Sequence, residues 1–98
     1  MIRSFAGKGT EDVFNGANTA RARRTCPQSL RSVAARKLDL LDSAESLEDL
    51  RVPPGNRLEA LAGDRQGQHS IRINQPHRIC FRWTEEGPFE VEILDYHR

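Results

Sequence analysis

Asp95-Tyr96-His97 sets a carboxylate, a phenol and an imidazole at consecutive positions, with Arg78 and Glu59 upstream of them. Side chains of these types suit chemistry on a phosphodiester. Attack of a ribose 2′-hydroxyl on its own phosphate needs a group that takes the hydroxyl proton and one that protonates the leaving 5′ oxygen. It also needs a cation beside the phosphate oxygens. Imidazole carries protons near neutral pH. A carboxylate serves as base or holds the imidazole tautomer, and arginine stabilises the charge that develops on the phosphorane. Tyrosine stacks on a base or donates its hydroxyl. No step requires a metal, and Cys26 and Cys80 form no zinc-type spacing.

These groups act together only if the fold brings them to one surface, and the second half of the chain has the pattern for it. Leu58 and Ala60 alternate with Glu59, Ile71 and Ile73 with Ser70, Arg72 and Asn74, and Ile79, Phe81 and Trp83 with Arg78, Cys80 and Arg82. Phe89, Val91 and Ile93 alternate with Glu90 and Glu92. Loops are expected at 63–67, 74–76 and 84–88. The period of two predicts successive antiparallel hairpins with one apolar face. The opposite face then carries Arg72, Arg78, Arg82, Glu90 and Glu92. Arg82 on that face either pairs across the strands with Glu90 or Glu92 or is presented to a ligand. Leu94 and Tyr96 continue onto the same face, so Tyr96 and Arg78 are expected as neighbours. Arg65, Arg72, Arg78 and Arg82 are expected to make this face concave and basic.

The first half supplies the cover. A short strand is expected over Ile2–Phe5, followed by a helix capped by Thr10 and ended by Asn15-Gly16. Residues 17–26 read as a polar, basic connection. Pro27 opens a helix over Gln28–Ser43, in which Leu30, Val33, Ala34, Leu38 and Leu41 form one apolar stripe. Ser46–Leu50 makes a short helical turn, and Pro53-Pro54-Gly55-Asn56 ends helical structure. Helices first and a meander after them indicate an α+β fold with an antiparallel sheet and N-terminal helices packed on one face.

Length and composition set bounds. The 98 residues fit one domain, 1–98, and Lys+Arg 15 against Asp+Glu 14 leaves a formal net charge of +1. That balance conceals a basic run, Arg21, Arg23, Arg24, Arg31, Arg36 and Lys37, with no acid among residues 21–37. No apolar run reaches the roughly 20 residues of a membrane span. The two cysteines are expected to be unpaired thiols of a cytoplasmic protein. A DNA-reading role is disfavoured because no recognition helix follows the 28–43 helix before Pro53-Pro54.

The stretches Pro53-Pro54-Gly55-Asn56-Arg57-Leu58-Glu59-Ala60-Leu61, Gly63-Asp64-Arg65-x-Gly67, Ser70-Ile71-Arg72-Ile73-Asn74, Arg78-Ile79-Cys80-Phe81-Arg82-Trp83 and Val91-Glu92-Ile93-Leu94-Asp95-Tyr96-His97 resemble the HigB toxins. These form the plasmid-maintenance-killer branch of the RelE superfamily. The resemblance implies a RelE-like, microbial-ribonuclease-type α+β fold without a cofactor. It implies a toxin of a type II toxin–antitoxin system that cleaves mRNA on the ribosome and stops translation. The implied partners are a HigA-type helix-turn-helix antitoxin, the ribosome and mRNA, with DNA reached only through the antitoxin and no membrane involved. By position, Asp95, Tyr96 and His97 match the family's catalytic trio and Arg78 its phosphate-stabilising arginine. Glu59 stands where some members have a catalytic histidine. Arg65, Arg72, Arg82 and His77 are the expected RNA contacts. Ala62 departs from a lysine common in the family, and His69 and His77 stand where aromatic residues are common. Each of these histidines either stacks on a base or is a surface substitution. The alternative function is a catalytically weak RNA- or ribosome-binding module acting with an antitoxin as a transcriptional corepressor.

Overall fold

The computed structural model describes residues 1–96. Three helices precede the sheet: α1 (Lys8–Phe14), α2 (Ala20–Thr25) and α3 (Arg31–Ser43). The strands are β1 (Glu59–Ala60), β2 (His69–Arg72), β3 (His77–Thr84) and β4 (Gly87–Asp95), paired antiparallel in the order β1-β2-β3-β4. The fold is therefore α+β, a helical layer on one face of a meander.

The apolar periodicities meet between the layers. Ala34, Leu38 and Leu41 of α3 are buried with Val13 of α1, Ala22 of α2 and Leu50, against Ile71, Ile79, Phe81, Val91 and Ile93 of the sheet. Leu30 and Val33 pack at the margin of this cluster. Removing apolar surface from water, worth about 25 cal/mol per Å², is what holds helices this short, since their propensity alone would not.

The helical half departs from the sequence reading in four places. First, α1 starts at Lys8 behind an extended Gly7, so Thr10 is not its cap. Thr10 is buried and its hydroxyl oxygen accepts the Ile93 amide of β4 at 3.0 Å. Second, residues 20–25 are a helix rather than a connection. Thr19 caps it by accepting the Ala22 amide at 3.0 Å, and Arg23 and Arg24 lie in the last turn, where the helix dipole favours cations. Third, the expected 28–43 helix begins with a 3-10 turn over Gln28–Leu30. Fourth, Pro54–Asn56 forms another 3-10 turn, with proline at its start where no amide is required.

The sheet departs in register. Cys80 pairs with Glu92 but Arg82 pairs with Phe89, so β4 carries one extra residue, and Glu90 takes φ +57°. This bulge moves Phe89 off the apolar face onto the face of Arg82. The expected strand at Ile2–Phe5 reduces to a single parallel bridge from Phe5 to Val91, flanked by backbone bonds from Arg3 and Ala6 to β4. With Thr10 on Ile93, these bonds cover the outer edge of β4, the kind of edge that otherwise invites pairing with another chain.

Candidate functional site

On the face away from the helices, the register forms a row across all four strands. Glu59 pairs with Ser70, Ser70 with Cys80, and Cys80 with Glu92. The adjacent row holds Arg72, Arg78 and Leu94. The middle of this face is buried, because Ser70 and Cys80 are both fully covered. Arg78 and Tyr96 provide part of that cover. The Arg78 side chain is 11% exposed. Its Nε donates to Ser70 Oγ at 2.7 Å and its Nη2 to the Arg57 carbonyl at 2.7 Å. Glu59 Oε1 stands 3.5 Å from the same Nη2. The guanidinium is thus aimed by neighbouring oxygens, with Nη1 outside these bonds.

Tyr96 follows β4 and is held from both ends. Its amide donates to the Pro76 carbonyl at 2.6 Å, and its hydroxyl lies 3.4 Å from Cys80 Sγ. Burial, and then the Cys80 contact, push its pKa up to about 12, against the opposing pull of Arg65 and Arg78. At neutral pH the phenol is therefore a hydrogen-bond donor and not a base. Burial also raises the Cys80 and Cys26 thiols; both cysteines are unpaired and buried.

The β1–β2 loop, with a 3-10 turn over Gly63–Arg65, reaches across the face toward β4. Arg65 Nη2 lies 3.4 Å from Glu92 Oε1, and its Nη1 donates to Gln68 at 3.0 Å. Between this loop and the end of β4 lies a cleft of about 490 Å³, lined by Leu61, Ala62, Asp64, Arg65, Leu94, Asp95 and Tyr96. Its apolar floor and tyrosine wall suit a flat ring, and its charged rim sets Arg65 beside Asp64 and Asp95. Ala62 contributes only a methyl group where the resemblance leads one to expect a lysine.

The structure brings Arg78, Glu59, Tyr96 and Arg65 together, with Arg72 and Arg82 on the same face. It does not bring His77 there. His77 pairs with Asp95 on the helix-side face, is 7% exposed, and its ring Nδ1 sits 3.1 Å from Asn74 Oδ1. Its expected place among the RNA contacts is corrected: strand alternation turns it inward, one residue before Arg78. Asp95 shares that inward side, 3.9 Å from His77 Nε2, and borders the cleft at the strand end. His69 also faces the helix side, stacked on Phe81 at 6.3 Å. The face is less basic than expected, because Arg82 pairs with Glu90 at 2.8 Å and Arg65 and Arg78 also have carboxylate neighbours. His97, the expected proton carrier, lies outside the described residues. Sequence reading missed Asn56, which is fully buried in the turn that precedes Arg57. A polar residue beside two prolines and a glycine gives no periodic signal that marks it as interior.

A helical layer backing a four-stranded meander, whose open face carries a fixed arginine, a protonated tyrosine and a cleft, defines a small α+β protein with one polar, open sheet face. Comparison with known proteins gives the class a family. Residues 3–97 match the RelE-like toxin of type II toxin–antitoxin system HigB. The chain is 43% identical to the protein named Toxin HigB-1 of Vibrio cholerae serotype O1, over 100% of this chain and 99% of that protein. It is 40% identical over 71 residues to an uncharacterized protein of Haemophilus influenzae, covering 72% of this chain and 69% of the other. The chain belongs to the HigB-like family of RelE-type toxins of type II toxin–antitoxin systems. Membership implies an antitoxin partner. Among the described residues no helix is long and apolar enough to cross a membrane.

Proposed function

We propose that the span 1–98 acts as one toxin domain, a ribosome-dependent mRNA endoribonuclease that stops translation in the cytoplasm. A HigA-type helix-turn-helix antitoxin holds it inactive and supplies any contact with DNA. The observation that carries this reading is Arg78, a nearly buried guanidinium fixed by Ser70 and the Arg57 carbonyl beside Tyr96 and Glu59.

In this mechanism the 2′-oxygen attacks the adjacent phosphorus and the bond to the 5′ oxygen breaks. The products are a 2′,3′-cyclic phosphate and a free 5′-hydroxyl. Glu59 or His97 takes the 2′-hydroxyl proton, and His97 protonates the leaving 5′ oxygen. Tyr96, protonated at working pH, donates its hydroxyl or stacks on the base in the cleft. Arg78 meets the charge on the phosphorane, and its prior fixation means that no reorganisation is needed as that charge grows. Arg65, Arg72 and Arg82 track neighbouring phosphates, which displace Glu92 and Glu90 from their arginines.

The test is expression without antitoxin, together with purified protein on programmed ribosomes. Growth arrest with transcripts cut to 2′,3′-cyclic phosphate ends supports the nuclease. Arrest with intact transcripts replaces it with the binding-module reading, in which the same face grips RNA or ribosome without cutting.

A further inference from the structure

Asn56 is fully buried, an unusual location for its type. Its side chain is almost fully engaged. Oδ1 accepts from Lys37 Nζ of α3, and Nδ2 donates to the Leu50 carbonyl at 3.2 Å and the Val52 carbonyl at 3.3 Å. Its amide donates to the Pro53 carbonyl at 2.9 Å. One asparagine thus ties the turn at 54–56 both to the preceding segment and to the longest helix. Burial, and then the neighbouring Arg36, lower the pKa of Lys37, so its ammonium is partly withdrawn from water to make this contact.

The next residue is where the tie matters. Arg57 adopts φ +46°, ψ +58°, a left-handed conformation that a non-glycine residue keeps only where its surroundings enforce it. In that conformation its carbonyl receives Arg78 Nη2 at 2.7 Å, and the chain then enters β1 with Glu59 3.5 Å from the same nitrogen. Ser70 fixes the Nε side of the guanidinium and the Arg57 carbonyl fixes the Nη2 side. The second anchor belongs to a turn, and a turn has no ladder of its own to set its position.

We propose that Asn56, clamped by Lys37, is a positioning residue that locks the Arg57 carbonyl in place and thereby sets the direction of the Arg78 guanidinium. The consequence for cleavage rests on the reading of Arg78 as the phosphate-contacting group; the positioning itself does not. A cation displaced by about 1 Å loses much of its benefit, a penalty on the order of 10²-fold in rate. The lock therefore acts on turnover rather than on substrate binding.

The test uses the full chain with isotope-labelled arginine. The Arg78 Nε–H resonance is identified as the cross-peak missing from Arg78→Lys. In wild-type protein it should be sharp and exchange slowly with water, because it is bonded to Ser70. Lys37→Met keeps the aliphatic stem and removes the clamp. Asn56→Asp keeps an oxygen toward Lys37 and loses both Nδ2 bonds, and it is read in the same way should Lys37→Met fail to fold. At a temperature where the variant is fully folded, the resonance should shift and broaden. Turnover on ribosome-bound mRNA should fall about 10- to 100-fold with KM within about twofold. A role confined to stability would lower the melting temperature and leave the folded-state resonance unmoved, and that result overturns the proposal. A moved resonance while Arg78→Ala still cleaves at the wild-type rate upholds the positioning and overturns the reading of Arg78 as the phosphate-contacting group instead.

Discussion

Arg78 and Arg82 leave the same strand on the same face, and they are held in opposite ways. Arg78 is 11% exposed and bonds to neutral oxygens, a hydroxyl and a carbonyl, with a carboxylate at 3.5 Å. Arg82 is 43% exposed and rests on one exposed carboxylate, Glu90, at 2.8 Å. Neutral acceptors fix a guanidinium's direction without neutralising it, and the exposed Glu59 at 3.5 Å offsets the Arg78 charge only in part. A lone surface carboxylate cancels the charge and contributes roughly 0 to 1 kcal/mol, so a phosphate replaces it readily. The first arrangement suits a group that must be in place before a transition state forms. The second suits a group that exchanges one anion for another as a strand of RNA slides in.

Removing each arginine breaks this comparison most directly. Arg78→Ala should lower the cleavage rate by about 10² to 10⁴ while the protein still folds and antitoxin binding holds. Arg78→Lys should not restore the rate, because an ammonium cannot bond Ser70 and Arg57 in the fork geometry and still face a phosphate. Wild-type cleavage by either variant would remove Arg78 from the chemistry.

The helical layer offers a control of the opposite kind, a stability loss that spares the site. A Cβ on Gly9 would lie 1.8 Å from Thr25 Oγ1 and 2.9 Å from the Arg21 carbonyl. The threonine can rotate, but the carbonyl is backbone, so α1 and α2 would have to separate. Gly9→Ala should cost about 1 to 3 kcal/mol of stability, read as a lower denaturant midpoint, with cleavage per folded molecule unchanged. An unaltered midpoint would mean that the two helices do not need their close approach.

Arg82→Gln should have a smaller effect. It removes one exchangeable phosphate contact, so affinity for ribosome-bound mRNA should fall a few-fold and the salt slope should shrink by about 0.7 per lost contact. Turnover at saturation should stay put. A turnover loss matching that of Arg78→Ala would erase the distinction between the two arginines.

Much of this contrast was legible in the residue pattern, though not all of it. Period-two alternation placed Arg78 and Arg82 together because strand faces are a local property. The stripe Leu38–Leu41 located the core helix for the same reason. What alternation could not reveal is the extra residue at Glu90, which breaks the period and moves Phe89 across the sheet. Alternation did carry the orientation of His77, because two adjacent residues on one strand point to opposite faces and Arg78 occupies the open one. The Ala20–Thr25 helix was hidden by arginines that carry no apolar stripe, although Thr19 ahead of Ala and Arg, both good helix formers, was a readable start signal. The Asn56 lock depends on contacts from Lys37, Leu50 and Val52, which are distant or irregular in sequence and leave no periodic trace.

The smallest expected effect concerns Tyr96 and sharpens the comparison without removing an arginine. Tyr96 is the chain's one tyrosine, so the ultraviolet absorbance of tyrosinate reports it alone. Burial first, and then the Cys80 hydrogen bond, raise its pKa to about 12, against a usual value near 10; Arg65 and Arg78 act weakly the other way. A phenol whose folded pKa is raised binds its proton more tightly in the folded state. Its contribution to stability is therefore complete below about pH 10 and lost as pH climbs toward about 12. Native protein should show a tyrosinate midpoint near 12 and unfolded protein one near 10. Cys80→Ala should bring the native midpoint back toward 10 by removing the thiol contact, and Arg78→Ala should move it slightly upward by removing a cation. Opposite signs from two neighbours on one strand would locate Tyr96 between the Cys80 contact that holds it and the fixed charge of Arg78. A native midpoint near 10 would mean that the hydroxyl is solvated and free of Cys80, and that Tyr96 is not held over the site.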